Sequence, residues 1–180
     1  MLVPGVDGNG DRNVWIVFVG DSPAAVYNPI WLCLDRGLYT PNVFYLLYNK
    51  ETERFLQPIE KMILKICSEY GIEKPEIRKI LTSEDDIREM FEKTFKIVME
   101  EKMKGSRIAV DLTPGRKYMA IVLALVALKC DIDHAFYLRL KDYRRFKDLE
   151  YPKIPEWMQI IDDLLKDLVW VSAHARKSAY

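Results

Sequence analysis

The sequence has no excess charge of either sign: 27 Lys and Arg stand against 27 Asp and Glu in 180 residues. A chain held to DNA or to an acidic membrane by its overall field is therefore excluded, and any anion site must be local. Long hydrophobic runs are missing too, the longest uncharged apolar stretch being about half of what a bilayer requires. The three cysteines, Cys33, Cys67 and Cys130, lie far apart and lack the paired spacing of a zinc site or a redox dithiol. They read as reduced core residues of a soluble, cytoplasmic protein, with no metal and no cofactor expected. Two nucleotide signatures are absent as well. Gly20 stands alone among Asp21, Ser22 and Pro23 where G-x-G-x-x-G would be needed, and no G-x-x-x-x-G-K-[ST] occurs anywhere.

What is present is a 49% hydrophobic chain of a length suited to one core. Residues 1–13 are polar, rich in glycine and aperiodic, and read as a flexible lead. Continuous apolar runs at 14–19 and 42–48 have the character of parallel strands covered on both faces. Weaker or shorter strand signals follow at 75–81, 107–112 and 133–140. Helical spacing of apolar residues fills the intervals between them. The first helix is expected to begin at Pro29 with Asn28 as its cap, which leaves a long loop from Gly20 to Asn28. A second helix is expected over 52–70. The third takes Thr82 or Ser83 as its cap, and the fourth, 116–129, is apolar nearly all round, as for burial between layers or against a partner subunit.

Five strands alternating with four helices predict an α/β fold: a Rossmann-like, doubly wound, mainly parallel sheet with helices on both faces, over residues 14–140. Residues 141–180 form a C-terminal helical extension, with an amphipathic helix at 156–168, that completes the core or covers a dimer face. Within it Lys141, Arg144, Arg145 and Lys147 follow the fifth strand at the ligand edge and read as a solvated turn, with closure over phosphates as the alternative.

The stretch from Arg107 to Lys117 reads as strand, tight turn and helix, with Thr113, Pro114 and Gly115 in the turn and Arg116 and Lys117 opening the helix. Unpaired amides at a helix N-terminus and two cations there suit an anion. Asp111 suits a cap or loop-orienting acceptor. In a doubly wound sheet the loop after the first strand, with Gly20, Asp21, Ser22 and Tyr27, reaches the same edge. Tyr27 is a candidate stacking ring. His134 is expected at the amino end of the fifth strand, away from this edge, and no general base is evident.

The two loops, Gly20-Asp-Ser-Pro23 and Asp111-Leu-Thr-Pro-Gly-Arg-Lys-Tyr-Met119, resemble the signature loops of CARF domains, the CRISPR-associated Rossmann-fold modules. That family's second loop reads Asp-x-Thr-Gly-Gly-Thr-Lys-x-Met, so Asp111, Thr113, Gly115, Lys117 and Met119 match in register. Pro114 replaces a glycine and deletes a backbone donor, and Arg116 replaces a threonine. The resemblance implies a homodimer that binds a cyclic oligoadenylate, tetra- or hexa-adenylate, the second messenger of type III CRISPR defence, through Gly20, Asp21, Ser22, Tyr27, Thr113, Pro114, Gly115, Arg116 and Lys117. No HEPN-type R-x(4-6)-H pattern precedes His134 or His174, so the chain resembles free-standing members. Among these are ring nucleases, in which Lys117, Arg116 and Ser22 would be the catalytic residues of a metal-independent cleavage giving a 2′,3′-cyclic phosphate. A non-catalytic sensing or regulatory subunit, and a Rossmann-like protein for another nucleotide, remain the alternatives. No direct DNA or membrane binding is expected.

Overall fold

The computed structural model describes residues 12–177. Five parallel strands, β1 (Asn13–Phe18), β2 (Val43–Tyr48), β3 (Glu76–Leu81), β4 (Arg107–Asp111) and β5 (His134–Leu140), form one sheet with β6 (Gln159–Asp163), which runs antiparallel to β5. The spatial order is β3-β2-β1-β4-β5-β6. The helices are α1 (Pro23–Asp35), α2 (Leu56–Glu69), α3 (Ile87–Met103), α4 (Lys117–Cys130), the single turn α5 (Tyr143–Phe146) and α6 (Leu165–Lys177).

The strand β1 shows why its sequence is continuously apolar. Successive side chains point to opposite faces, so Val14, Ile16 and Phe18 join one core with Met90, Val98, Val122 and Val126 of α3 and α4. Trp15 and Val17 join a second core with Ile30 and Trp31 of α1 and Ile59, Ile63 and Ile66 of α2. The predicted doubly wound, mainly parallel sheet with helices on both faces is what the chain adopts. The order in which strands are added reverses between β1 and β4, which themselves run parallel, and a crevice opens there beyond the carboxyl ends of the strands.

Three local expectations are corrected. The first helix starts at Pro23 with Ser22 as its cap residue, and Pro29 lies inside it. Proline at the first helical position loses no bond it would have made, and the earlier start gives α1 the length to bury Val26, Ile30, Trp31 and Leu34 along the sheet. The cap of α3 is Asp86, whose Oδ1 accepts from Arg88 N at 2.9 Å and Glu89 N at 3.1 Å. Ser83 Oγ instead accepts from Asp86 N at 3.1 Å and so holds the approach to that cap. No helix spans 156–168. A 3-10 turn at Glu156–Met158 leads into β6, and α6 begins only at Leu165. Strand pairing wins because Asp163 ties the segment to β5: its carboxylate accepts from Ala135 N at 3.0 Å and His134 Nδ1 at 2.8 Å, and also from Leu165 N at 3.2 Å.

The amino end of the sheet is closed by a polar cluster. Glu101, fully buried, accepts from Arg12 at 2.6 Å, Tyr45 at 2.6 Å, Lys104 at 2.8 Å and Ser106 at 2.8 Å. Burial alone would raise this carboxyl, but the four donors outweigh burial and hold it well below its ordinary range. Of the expected lead at 1–13, only Arg12 and Asn13 are among the described residues; the rest lies outside them. His134 is the first residue of β5, at this same end.

Candidate functional site

The loops after β1 and β4 meet at the carboxyl edge. A Cβ placed on Gly20 would lie 2.5 Å from the amide nitrogen of Gly115, so the two backbones touch and only glycine fits at position 20. Gly115 has φ +89, a region that favours glycine, and a Cβ there would come within 2.8 Å of Met119 Sδ. Met119 Sδ accepts from the Arg116 amide at 3.4 Å and so engages the first turn of α4. The β4–β5 ladder ends with Leu112 N bonded to Phe136 O at 2.8 Å. Beyond it the Thr113 hydroxyl takes over, accepting from Leu138 N at 2.8 Å.

Asp111 organises this turn from below. It is completely buried, its Oδ1 accepts from Thr113 N at 2.9 Å, and its Oδ2 has no hydrogen-bond partner. Burial pushes its carboxyl up to about 7, against the pull of its hydrogen bonds with Thr113. Its placement suits the loop-orienting role.

A cavity of about 650 Å³ lies over these loops. Of the residues expected at the site, Gly20, Asp21, Ser22, Thr113, Pro114, Gly115 and Arg116 line it; Lys117 and Tyr27 do not. Lys117 is the exposed first residue of α4. Tyr27 belongs to α1 rather than to a loop; at 8% exposure it packs in the core with Trp31 and Leu34. Burial raises its phenol above the ordinary value. Its displacement follows directly from the early start of α1.

Ser22 and Arg116 are both engaged. The Ser22 hydroxyl donates to the Lys147 carbonyl at 3.0 Å, fastening the start of α1 to the segment after β5. Asn28 strengthens that link, donating to Leu149 O at 2.8 Å and accepting from Tyr151 N at 2.9 Å. The Arg116 guanidinium pairs with Glu84 at 2.6 Å and Glu51 at 3.6 Å. Other cations at the cavity have neighbours of their own: Arg139 pairs with Asp162 at 2.7 Å, and Lys141 lies 5.9 Å from the Trp157 ring centroid.

Sequence reasoning missed the third wall, which follows β2. Asn49, Glu51 and Thr52 line the cavity, as does Tyr143 of α5 on the far side. The available signal was Asn49-x-x-Thr52 directly after a buried strand, a pair able to close a polar turn.

Among the described residues no group of three His, Cys, Asp or Glu could hold a metal ion, and no helix is long and apolar enough to cross a membrane.

Comparison with known proteins gives the family and the fold. The model of the CRISPR-associated protein NE0113 family matches residues 45–153, more than half of the chain. No curated protein matches in sequence. In structure the chain is similar to Csm6 of Enterococcus italicus, solved bound to cyclic hexa-2′-fluoro-hexa-dAMP. The TM-score is 0.59 at 13% identity, over 93% of this chain and 45% of that one. It is also similar to protein VC1899 of Vibrio cholerae, with a TM-score of 0.50 at 7% identity over 69% of this chain and 30% of that one. The chain thus spans less than half the length of either protein, and at such identities the likeness is one of fold. The CARF resemblance carried by the two loops is borne out by both findings. The chain belongs to the CRISPR-associated protein NE0113 family.

Proposed function

We propose that this chain binds a cyclic oligoadenylate in the cavity between the β1 and β4 loops, and that it does so as a homodimer in the cytoplasm. The observation that carries the reading is the convergence on one 650 Å³ cavity, at the reversal point of the sheet, of the two glycine-containing loops and Arg116. Phosphodiester groups suit such a place, because the loops supply backbone amides and Arg116 supplies a planar cation for phosphate oxygens. The CRISPR-associated family supports the class of process, and a cyclic hexa-adenylate analogue is the ligand with which the similarly folded Csm6 was solved. The dimer is supported by α4: Ile121 and Leu125, one turn apart on one face, are 57% and 51% exposed. Lys117, at the start of the same helix, is proposed to meet the ligand from outside the cavity lining.

Cleavage is a second reading, favoured by Ser22 and Arg116 lining the same cavity. In it the ribose 2′-hydroxyl gives up its proton to water as its oxygen forms a bond to the adjacent phosphorus, the bond from phosphorus to the 5′-oxygen breaks, and the 5′-oxygen takes up a proton from water. Arg116 and Lys117 would stabilise the phosphoryl oxygens while Ser22 positions the ribose. Ser22 and Arg116 are both held by protein partners here, and the histidine of β5 lies at the opposite end of the sheet. Binding without rapid turnover is the better supported of the two.

Calorimetric titration with cyclic tetra-adenylate and cyclic hexa-adenylate, at fixed salt, tests the first reading. One ring per two chains is the expected stoichiometry. No heat with either ring overturns it and favours a different nucleotide. Incubation in EDTA followed by separation of products tests the second, which a ring left intact would remove.

A further inference from the structure

One polar side chain in the cavity wall has no part in the loops described above. Asn49 follows directly on β2, is 4% exposed, and lines the cavity. Its Oδ1 accepts from Thr52 N at 2.9 Å and from Thr52 Oγ1 at 3.0 Å. Two bonds fill the two lone pairs of a carbonyl oxygen. Thr52 Oγ1 accepts in turn from Asn49 N at 3.1 Å, so the side chain and the turn hold each other in place. That network also sets the orientation of the amide, because the reverse orientation would place the NH₂ group against the Thr52 N–H donor. The Nδ2 group makes no hydrogen bond among the described residues. It is not among the buried atoms that lack a partner, so in a side chain that is otherwise 4% exposed this donor is the part left open, on the wall of the cavity.

We infer that Asn49 is a ligand-contacting residue, its Nδ2 donating one hydrogen bond to a phosphodiester oxygen of the bound nucleotide. The inference rests on the nucleotide reading of the cavity and adds the loop after β2 to the two loops on which that reading was built. A phosphate oxygen fits better than a base edge. Asparagine reads adenine in bidentate fashion, using its oxygen as acceptor and its nitrogen as donor; here Thr52 occupies the oxygen, leaving a single donor. Phosphate oxygens are acceptors only, and Arg116 lines the same cavity. The turn that presents the donor also carries Glu51, one of the two carboxylates now holding Arg116. A phosphate bound at Asn49 would therefore compete with Glu51 for Arg116.

Asn49→Asp isolates the donor. The carboxylate still offers an oxygen to Thr52, but the group facing the ligand becomes an anion instead of an N–H. With cyclic tetra-adenylate and cyclic hexa-adenylate as probes, N49D is expected to weaken whichever ring the parent binds by at least about tenfold near neutral pH. Part of that loss is recovered as the pH falls toward about 4, where the introduced carboxyl takes up a proton and becomes a donor; the parent shows no comparable gain. A second measurement needs no variant: in the parent, the Asn49 side-chain amide resonances shift when the ring saturates the protein. It keeps the inference testable if N49D fails a thermal unfolding check. Parent binding with unmoved Asn49 resonances, or with N49D affinity within about twofold, overturns the inference and leaves the nucleotide reading standing. No binding of either ring by the parent removes that reading and this inference together.

Discussion

Gly20 and Gly115, from two different loops, meet backbone to backbone: a Cβ on the first would sit 2.5 Å from the amide nitrogen of the second. The obstructing atoms are main chain and have no rotamer to change. Gly20→Ala therefore forces the loops apart, at a cost of about 1–3 kcal/mol, and widens the crevice between β1 and β4. Thermal unfolding should show the loss, and binding of the cyclic messenger should fall with it. An unchanged melting temperature would mean that the loops part freely.

Arg116 rests on Glu84 and Glu51, and a bound phosphate has to compete with both. Removing the closer carboxylate in Glu84→Gln should tighten binding of a cyclic oligoadenylate about two- to fivefold, the scale of an exposed ion pair. Arg116→Ala should weaken binding and abolish the gain from the Glu84 change. Calorimetry on the two single variants and the double variant measures this coupling. Additive effects would show that Arg116 does not exchange partners.

Asp111 supplies a pH dependence of unusual sign for a carboxylate. Its proton is held more tightly in the folded chain, where the carboxyl is raised to about 7, than in the unfolded one, where it returns toward 3.8. Its contribution to stability is complete below the unfolded value and is lost as the pH rises through about 7. Asp111→Asn keeps an oxygen for the Thr113 amide and carries no charge. From pH 5 to above about pH 8 the stability of the variant relative to the parent should rise by roughly 1 kcal/mol or more, because the parent loses more of this contribution over that range. Denaturant unfolding at the two pH values decides it; a constant difference across that range would show that Asp111 does not titrate in the window.

Leu125 tests the dimer. It is half exposed on α4, so Leu125→Glu should leave the stability of a single chain within about 0.5 kcal/mol while placing a charge in the middle of the proposed contact. Sedimentation velocity should show the parent as two chains and the variant as one. A parent that sediments as one chain with the ring present removes the dimer from the proposed function.

Most of the sheet is legible in the sequence because it is built from local patterns. The short apolar runs at β1 and β2, rich in valine and aromatic residues, suit strands buried on both faces, and the turn from Asp111 to Met119 carries its own glycine, proline and cap. What was missed depends on partners far along the chain. Ser22-Pro23 and Asn28-Pro29 are equally good helix starts when read locally, and the choice between them is made by how much of α1 the sheet can cover. The segment of β6 has the pattern of a helix, because Ile160 and Ile161 satisfy a helical spacing with Trp157 and Leu164, while the antiparallel edge offered by β5 leaves no local trace. Asn49 and the carboxylates on Arg116 were missed for the same reason: three loops well separated in sequence come together only when the strands align.

The outermost strands bear on how this chain meets its own copies. β3 carries Glu76, Arg78 and Lys79, and β6 ends in Asp162 and Asp163; charges along a sheet border discourage another strand from joining it. Growth by strand addition, which leads to open-ended fibres, is thereby obstructed at both margins. The proposed dimer uses a helical face instead, where a two-fold contact would close on itself and stop at a pair.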